Sequence, residues 1–304
     1  MDRAGQGSQR LVFTLAAVLT SFTMGAEAQT TEWPQLQIEA PPALAAVRTR
    51  LESFDPKQLA DILALVGLTD AGPAIQVVLA TESSAAARQV SPWTAGFALG
   101  TSGVVVLFPA RSPGYPHNSL EDVLRHEVAH VLIARATDNG PVPRWFNEGL
   151  AMAAERDWGL QDQTRLLYEL VLGPRTTVGG IDRLFTGNRN DQIRAYALAG
   201  AFVRDLRLRH GPSSPREVLT RMKRGVSFEA AFADVAGLTL AAAESEFWQR
   251  QRVWTTWVPI LTSSATLWLA VTVLAIYAIR RRRRKNAEIE KAWAEEEEET
   301  PQKP

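Results

Sequence analysis

The sequence predicts an α+β fold with a membrane-directed C-terminus. Three observations carry that expectation. Short apolar, β-branched runs cluster between Ile75 and Phe108 and nowhere later. From Leu120 onward the chain reads almost wholly at helical spacing. Between Arg252 and Arg280 lie 27 residues without a charge. Strands followed by a run of helices point to an α+β architecture rather than to alternating βα units. The expected architecture is a small mixed or antiparallel sheet packed on a central helix, then a mostly helical lobe, then one transmembrane helix.

The elements follow in order. Residues 1–28 read as a signal peptide. Arg3 and Arg10 open it, an uncharged stretch from Leu11 to Met24 forms its core, and Ala26-Glu27-Ala28 fits a small-x-small cleavage site. An uncleaved amphipathic anchor is the alternative. Residues 29–42 are polar and proline-bearing, a loose lead-in. Ala43 to Phe54 and Pro56 to Val66 have helical spacing, with Asp55 as N-cap of the second. Ile75 to Ala80 follows Gly72-Pro73 and reads as a strand, as does Thr94 to Leu99. Val104 to Phe108 is the strongest strand signal in the chain.

Ser119 and Asp122 form an N-cap pattern for a helix from Leu120 to about Ala136. Apolar residues cover most of its girth, so it is expected to be buried, with Glu121, Arg125 and Arg135 solvated. It carries His126-Glu127-Val128-Ala129-His130. Histidines four apart on a helix share a face, because a turn takes about 3.6 residues. Two neutral imidazoles plus one carboxylate, with a position left open to water, suit Zn²⁺. Glu127 lies between them and can reach water at such an ion without binding it. Thr137-Asp138-Asn139-Gly140-Pro141 is a turn, and Pro143 suits the start of a second helix that Gly159 could close. At 1.5 Å per residue, His130 lies about 9 Å before the first helix ends and Glu148 about 8 Å into the second. Antiparallel helices would bring Glu148 level with the histidines.

These residues resemble a known family. H-E-x-x-H, followed 18 residues after its last histidine by the glutamate of Trp145-Phe146-Asn147-Glu148-Gly149-Leu150-Ala151, is similar to the gluzincin zinc metallopeptidases of the peptidase MA-like group. The resemblance is specific from Gly103 to Glu155 and weaker to Trp248. It implies His126, His130 and Glu148 as ligands of one Zn²⁺, Glu127 as general base, and Tyr196 as the residue that stabilises the transition state. It also implies that the strand before the metal helix is a sheet edge pairing with an extended peptide substrate; from the residues alone, a buried core strand is equally consistent. Relatives often carry an acidic residue four positions beyond the ligand glutamate. Here that position is Met152, which leaves Asp122 or Glu155 to orient a histidine. A G-x-M-E-N-like segment is absent, which leans toward an endopeptidase. His117 and His210 read as surface residues.

Beyond Glu148, helices are expected over Gln163–Leu172, Gln192–Arg209, Pro215–Arg224, Phe228–Val235 and Leu240–Arg252. Residues 29–252 would form one extracytoplasmic metallopeptidase domain. Residues 253–279 are long enough to span a bilayer, flanked by Trp254, Trp257 and Tyr277. Arg280 to Lys285 then place residues 280–304 in the cytoplasm as a basic and acidic tail, with Glu295–Glu299 unstructured. A basic run directly after a span is a topological stop rather than a nucleic-acid patch, so no nucleic-acid partner is expected. Lys plus Arg and Asp plus Glu both total 33, so net charge suggests no partner. The absence of cysteine excludes a disulfide framework and thiolate metal sites.

The function expected is a membrane-anchored zinc peptidase acting on a peptide or protein substrate. The alternatives are a binding or scaffold protein that keeps the fold without turnover, and a zinc hydrolase of non-peptide amides.

Overall fold

The structure is a computed structural model that describes residues 33–155 and 158–299. The expected signal peptide lies outside the described residues.

Four strands form one sheet: β1 (Leu36–Glu39), β2 (Ile75–Leu79), β3 (Gly96–Leu99) and β4 (Val104–Leu107). Their spatial order is β1-β2-β4-β3, with β1, β2 and β4 parallel and β3 antiparallel to β4. Helices α1 (Ala45–Glu52) and α2 (Ala60–Val66) make the crossover from β1 to β2. Asp55 caps the approach to α2, accepting from the Lys57 N–H at 3.0 Å.

β1 corrects the sequence reading, which took residues 29–42 as loose. Leu36-Gln37-Ile38-Glu39 alternates and buries one side against the core, but it is only four residues long and flanked by Pro34 and Pro41. Its partner, β2, comes about forty residues later, so no local pattern announces the pairing.

β4 also resolves an open choice. It is an interior strand, and the sheet edge beside it is β3. Val105 and Leu107 face the main core, while Val104 and Val106 join Ala80, Ala87 and Phe108 in a second, smaller core on the opposite face. The segment between β2 and β3 covers that face. Arg111 ties this segment down, stacking over Phe108 at 4.3 Å and donating to the carbonyls of Ser91 and Thr94.

The metal-motif helix α3 (Leu120–Ala136) packs against β3 and β4. Ser119 caps it through a 3.1 Å bond from the Asp122 N–H. Arg125 and Arg135, expected to be solvated, are half-buried braces. Arg125 donates to the carbonyls of Ala154 and Glu155, and Arg135 to the carbonyl of Ala71. Glu121 is half-buried too, paired with Arg50 at 2.6 Å.

The helical lobe comprises α4 (Arg144–Glu155), α5 (Leu160–Leu172), α6 (Val178–Leu184), α7 (Arg189–His210), α8 (Ser214–Lys223), α9 (Phe228–Ala236) and α10 (Leu240–Thr262). Helix α6 is the one member the sequence reading did not anticipate. Its Asp182 accepts from the Trp145 N–H at 2.6 Å and so caps α4 from outside. Trp145, Phe146, Phe202 and Phe228 stack edge-on or tilted at 5.1–5.8 Å and seat α4 on α7 and α9.

Ser263, in extended conformation, separates α10 from α11 (Ser264–Glu299). The uncharged stretch is therefore split between two helices. Among the described residues, one helical segment is long and apolar enough to cross a membrane, Ser264–Ile289; it shares residues 264–279 with the expected span and carries Arg280–Lys285 towards its far end. The acidic run expected to lack structure continues this helix to Glu299.

Candidate metal centre and active-site cleft

Helices α3 and α4 run back to back, joined by a turn in which Asp138 and Asn139 adopt positive φ. One turn of α3 separates His126 from His130, and their rings meet edge to face at 4.8 Å. Glu148 reaches across from the second turn of α4. Its Oε2 lies 3.3 Å from His126 Nε2 and 3.5 Å from His130 Nε2.

The far nitrogens show which tautomers face inward. His130 Nδ1 lies 2.8 Å from Asn147 Oδ1, a side-chain oxygen that can only accept. His126 Nδ1 is buried without a well-aligned hydrogen bond, but lies 3.3 Å from the Glu155 carboxylate. Protons on both Nδ1 atoms leave both Nε2 lone pairs aimed at the Glu148 carboxylate. Three buried lone pairs facing one another are repulsive unless a cation, a metal ion or a proton on one of the nitrogens, sits between them. Donor atoms bound tetrahedrally to zinc at about 2.0–2.2 Å stand roughly 3.3–3.6 Å apart. The residues present therefore fit a zinc ion.

The electrostatics agree. Burial alone would drive His126 toward neutrality, yet the carboxylates of Glu148 and Glu155 outweigh it and hold its pKa up at about 10. His130 is raised too, Glu148 overcoming the effect of burial. Burial would raise Glu148 and Glu155; the histidines reverse this, keeping Glu148 well below the usual range and Glu155 down at about 2.

Glu127 is buried on the same helix face and contacts no ligand carboxylate. Burial raises its pKa above the usual carboxylate value despite the nearby histidines. Tyr196 of α7 places its ring 6.1 Å from that of His126 and 5.2 Å from Phe185. Burial, then Glu148 and Glu127, keep its hydroxyl protonated. Together with His126, Glu127, His130 and Glu148, Tyr196 lines an open cleft of about 800 Å³ whose opposite wall is the β3 edge, Gly96 to Leu99.

Two glycines permit these approaches. A side chain on Gly149 would meet Val203 Cγ2 at 2.5 Å and the Ala199 carbonyl oxygen at 2.6 Å, so its absence lets α4 and α7 close up. A Cβ on Gly96 would stand 3.0 Å from Glu127 Cγ, which brings the edge strand directly over the metal helix.

A family model of the Peptidase MA superfamily matches residues 85–254. The chain belongs to this superfamily. The match begins ahead of β3 and ends in α10, so it contains every site residue named from the sequence, while β1, α1, α2 and β2 lie before it. No curated protein matches the chain. Membership makes the chain a peptidase-like protein of a typically metal-dependent superfamily.

Among the described residues, two groups of three side chains could hold a metal: His126, His130 and Glu148, and His117, His126 and Glu155. The second group corrects the expectation that His117 is a surface residue. It is 8% exposed, with Nδ1 2.9 Å from Glu155 Oε2. Glu155, rather than Asp122, stands beside His126; Asp122 instead accepts from the Asn118 N–H at 3.2 Å. The sequence reading did not single out Asn147, although its position directly before Glu148 offered the cue. His210 ends α7, outside both groups.

Proposed function

We propose that the protein is a zinc-dependent endopeptidase, tethered to a membrane by the uncharged part of α11 that precedes Arg280, with its catalytic domain outside the cytoplasm and its basic tail inside. The observation that carries this reading is the convergence of His126 Nε2, His130 Nε2 and Glu148 Oε2 at the 3.3–3.5 Å spacing of metal-bound donors. His126, His130 and Glu148 would hold one zinc ion. When bound, zinc acts as a Lewis acid on the scissile carbonyl and lowers the pKa of water toward ~7.

The protein's own groups do the rest. Glu127, its carboxylate made more basic by burial, takes the proton of the attacking water and passes it to the leaving amine. Tyr196, kept neutral, donates a hydrogen bond to the oxyanion as it develops. Asn147 and Glu155 hold the histidines in the tautomers whose Nε2 lone pairs face inward. The β3 edge offers main-chain groups to an extended peptide, which accounts for binding largely independent of side-chain sequence. The polybasic run Arg280–Lys285 supports a cytoplasmic tail.

The test uses the full chain in detergent with an unfolded protein substrate. Cleavage should require stoichiometric zinc and stop on chelation. Glu127→Gln should lose about 10²–10⁴ in kcat while keeping its zinc. Zinc binding without turnover on any peptide, or unchanged turnover in Glu127→Gln, would refute the reading.

A further inference from the structure

The two side-chain trios share His126, and their spacing distinguishes them. Around Glu148 Oε2 the histidine nitrogens stand at 3.3 and 3.5 Å, as around an ion. In the other trio, His126 Nδ1 is also 3.3 Å from Glu155 Oε2, but His117 Nδ1 is only 2.9 Å from it. That is a hydrogen-bond length, shorter than the roughly 3.3–3.6 Å between two donors on one zinc.

Glu155 occupies a costly position. It is the last residue of α4, where the helix dipole disfavours an anion, and its side chain is 1% exposed. Arg125 binds the carbonyls of Ala154 and Glu155, and the carboxylate itself meets the imidazoles of His117 and His126. His117 is brought there by a tight turn. Its N–H and C=O exchange bonds with those of Gly114 at 3.0 and 3.1 Å, just before Ser119 starts the metal helix. Its ring then packs edge to face on His126 at 4.8 Å.

We propose that His117 is a positioning residue: it donates Nδ1–H to Glu155 and so fixes the carboxylate that orients the imidazole of His126 for metal binding. The inference rests on the reading of His126 as a ligand. It couples the turn Gly114–His117 to the metal, so metal binding and ordering of the turn favour each other reciprocally.

Zinc affinity tests this without reference to turnover. In chelator competition on the full-length protein, His117→Phe keeps the ring volume and loses the donor. It should weaken zinc binding about 10–100-fold, as loss of partners to ligand histidines does. His117→Asn, whose amide N–H can occupy the place of Nδ1–H, should restore affinity most of the way. The metal-free thermal midpoints of the two variants should agree, which a purely packing role would not require. In the wild type, which needs no variant to fold, zinc should slow amide hydrogen exchange of residues 114–118. Unaltered affinity in His117→Phe, or exchange indifferent to zinc, overturns the proposal alone. Two zinc ions per wild-type chain falling to one in His117→Phe would make the trio a second metal centre and overturn it too. A wild type that binds no zinc overturns both this inference and the metallopeptidase reading.

Discussion

At the scale of single residues, the site is a problem in placing lone pairs. Each of the two helix histidines has one nitrogen facing an oxygen of α4: His130 Nδ1 lies 2.8 Å from Asn147 Oδ1 and His126 Nδ1 3.3 Å from Glu155 Oε2. The other nitrogen is thereby committed to Glu148. Tyr196 lines the same cleft from α7 and offers a hydroxyl rather than a charge. Its removal separates ground-state from transition-state roles. Tyr196→Phe should lower kcat about 10²–10³-fold, or roughly 3–4 kcal/mol, with zinc affinity and KM little changed. Equal activity of Tyr196→Phe and wild type in steady-state assays would leave Tyr196 a packing residue beside Phe185. His126, Glu127 and His130 were legible from the chain because their relation is local: one helix, four residues, one face. His117 was not, because a histidine in a Gly- and Pro-bearing loop looks solvated until Glu155, 38 residues later, arrives to bury it.

At the scale of elements, the decisive contacts are α3 on α4 and α4 on α7. The first brings Glu148 to the histidines; the second brings Tyr196 to Glu148. Both depend on backbones approaching closely, and Gly149 sits at the tighter crossing. Gly149→Val should force α4 away from Ala199 and Val203 and destabilise the protein by about 1–3 kcal/mol. Denaturant unfolding of the metal-free chain would measure this. A midpoint equal to wild type would mean the crossing is loose and the glycine incidental. Element identity was readable wherever the signal is local, as at the Ser119 cap, the Asp55 cap and the helices after residue 159 other than the seven-residue α6. It failed at β1, whose four residues gain their strand character only by pairing with β2. It left β4 ambiguous, since an all-apolar run suits an edge or an interior equally until the second small core appears around Phe108.

At the scale of the whole molecule, the sheet, the metal helix and the helical lobe share one main core, and α11 stands outside it. Phe247 is fully buried and Trp248 donates to the Thr176 carbonyl, so the first half of α10 belongs to the domain. The helix beyond Ser263 is apolar with its large side chains exposed, from Leu267 to Ile279. An exposed apolar surface of that extent marks a membrane or protein contact. A chain ending before Ser264 should therefore move from the membrane to the soluble fraction on cell fractionation and keep its chelator-sensitive zinc. Continued membrane association of that shortened chain would assign the anchoring elsewhere.

The sequence by itself determined that His126 and His130 share one helix face with Glu127 between them, the cap that starts their helix, and an apolar C-terminal stretch. Each of these lies within a few residues of backbone, where periodicity and capping act directly. Only the tertiary structure decided that β3 rather than β4 is the open edge, that Asn147 and Glu155 hold the imidazoles, and that His117 is buried behind them. Those outcomes depend on which groups are close in space after dozens of intervening residues. Burial and lone-pair direction are properties of that proximity, and no local pattern encodes them.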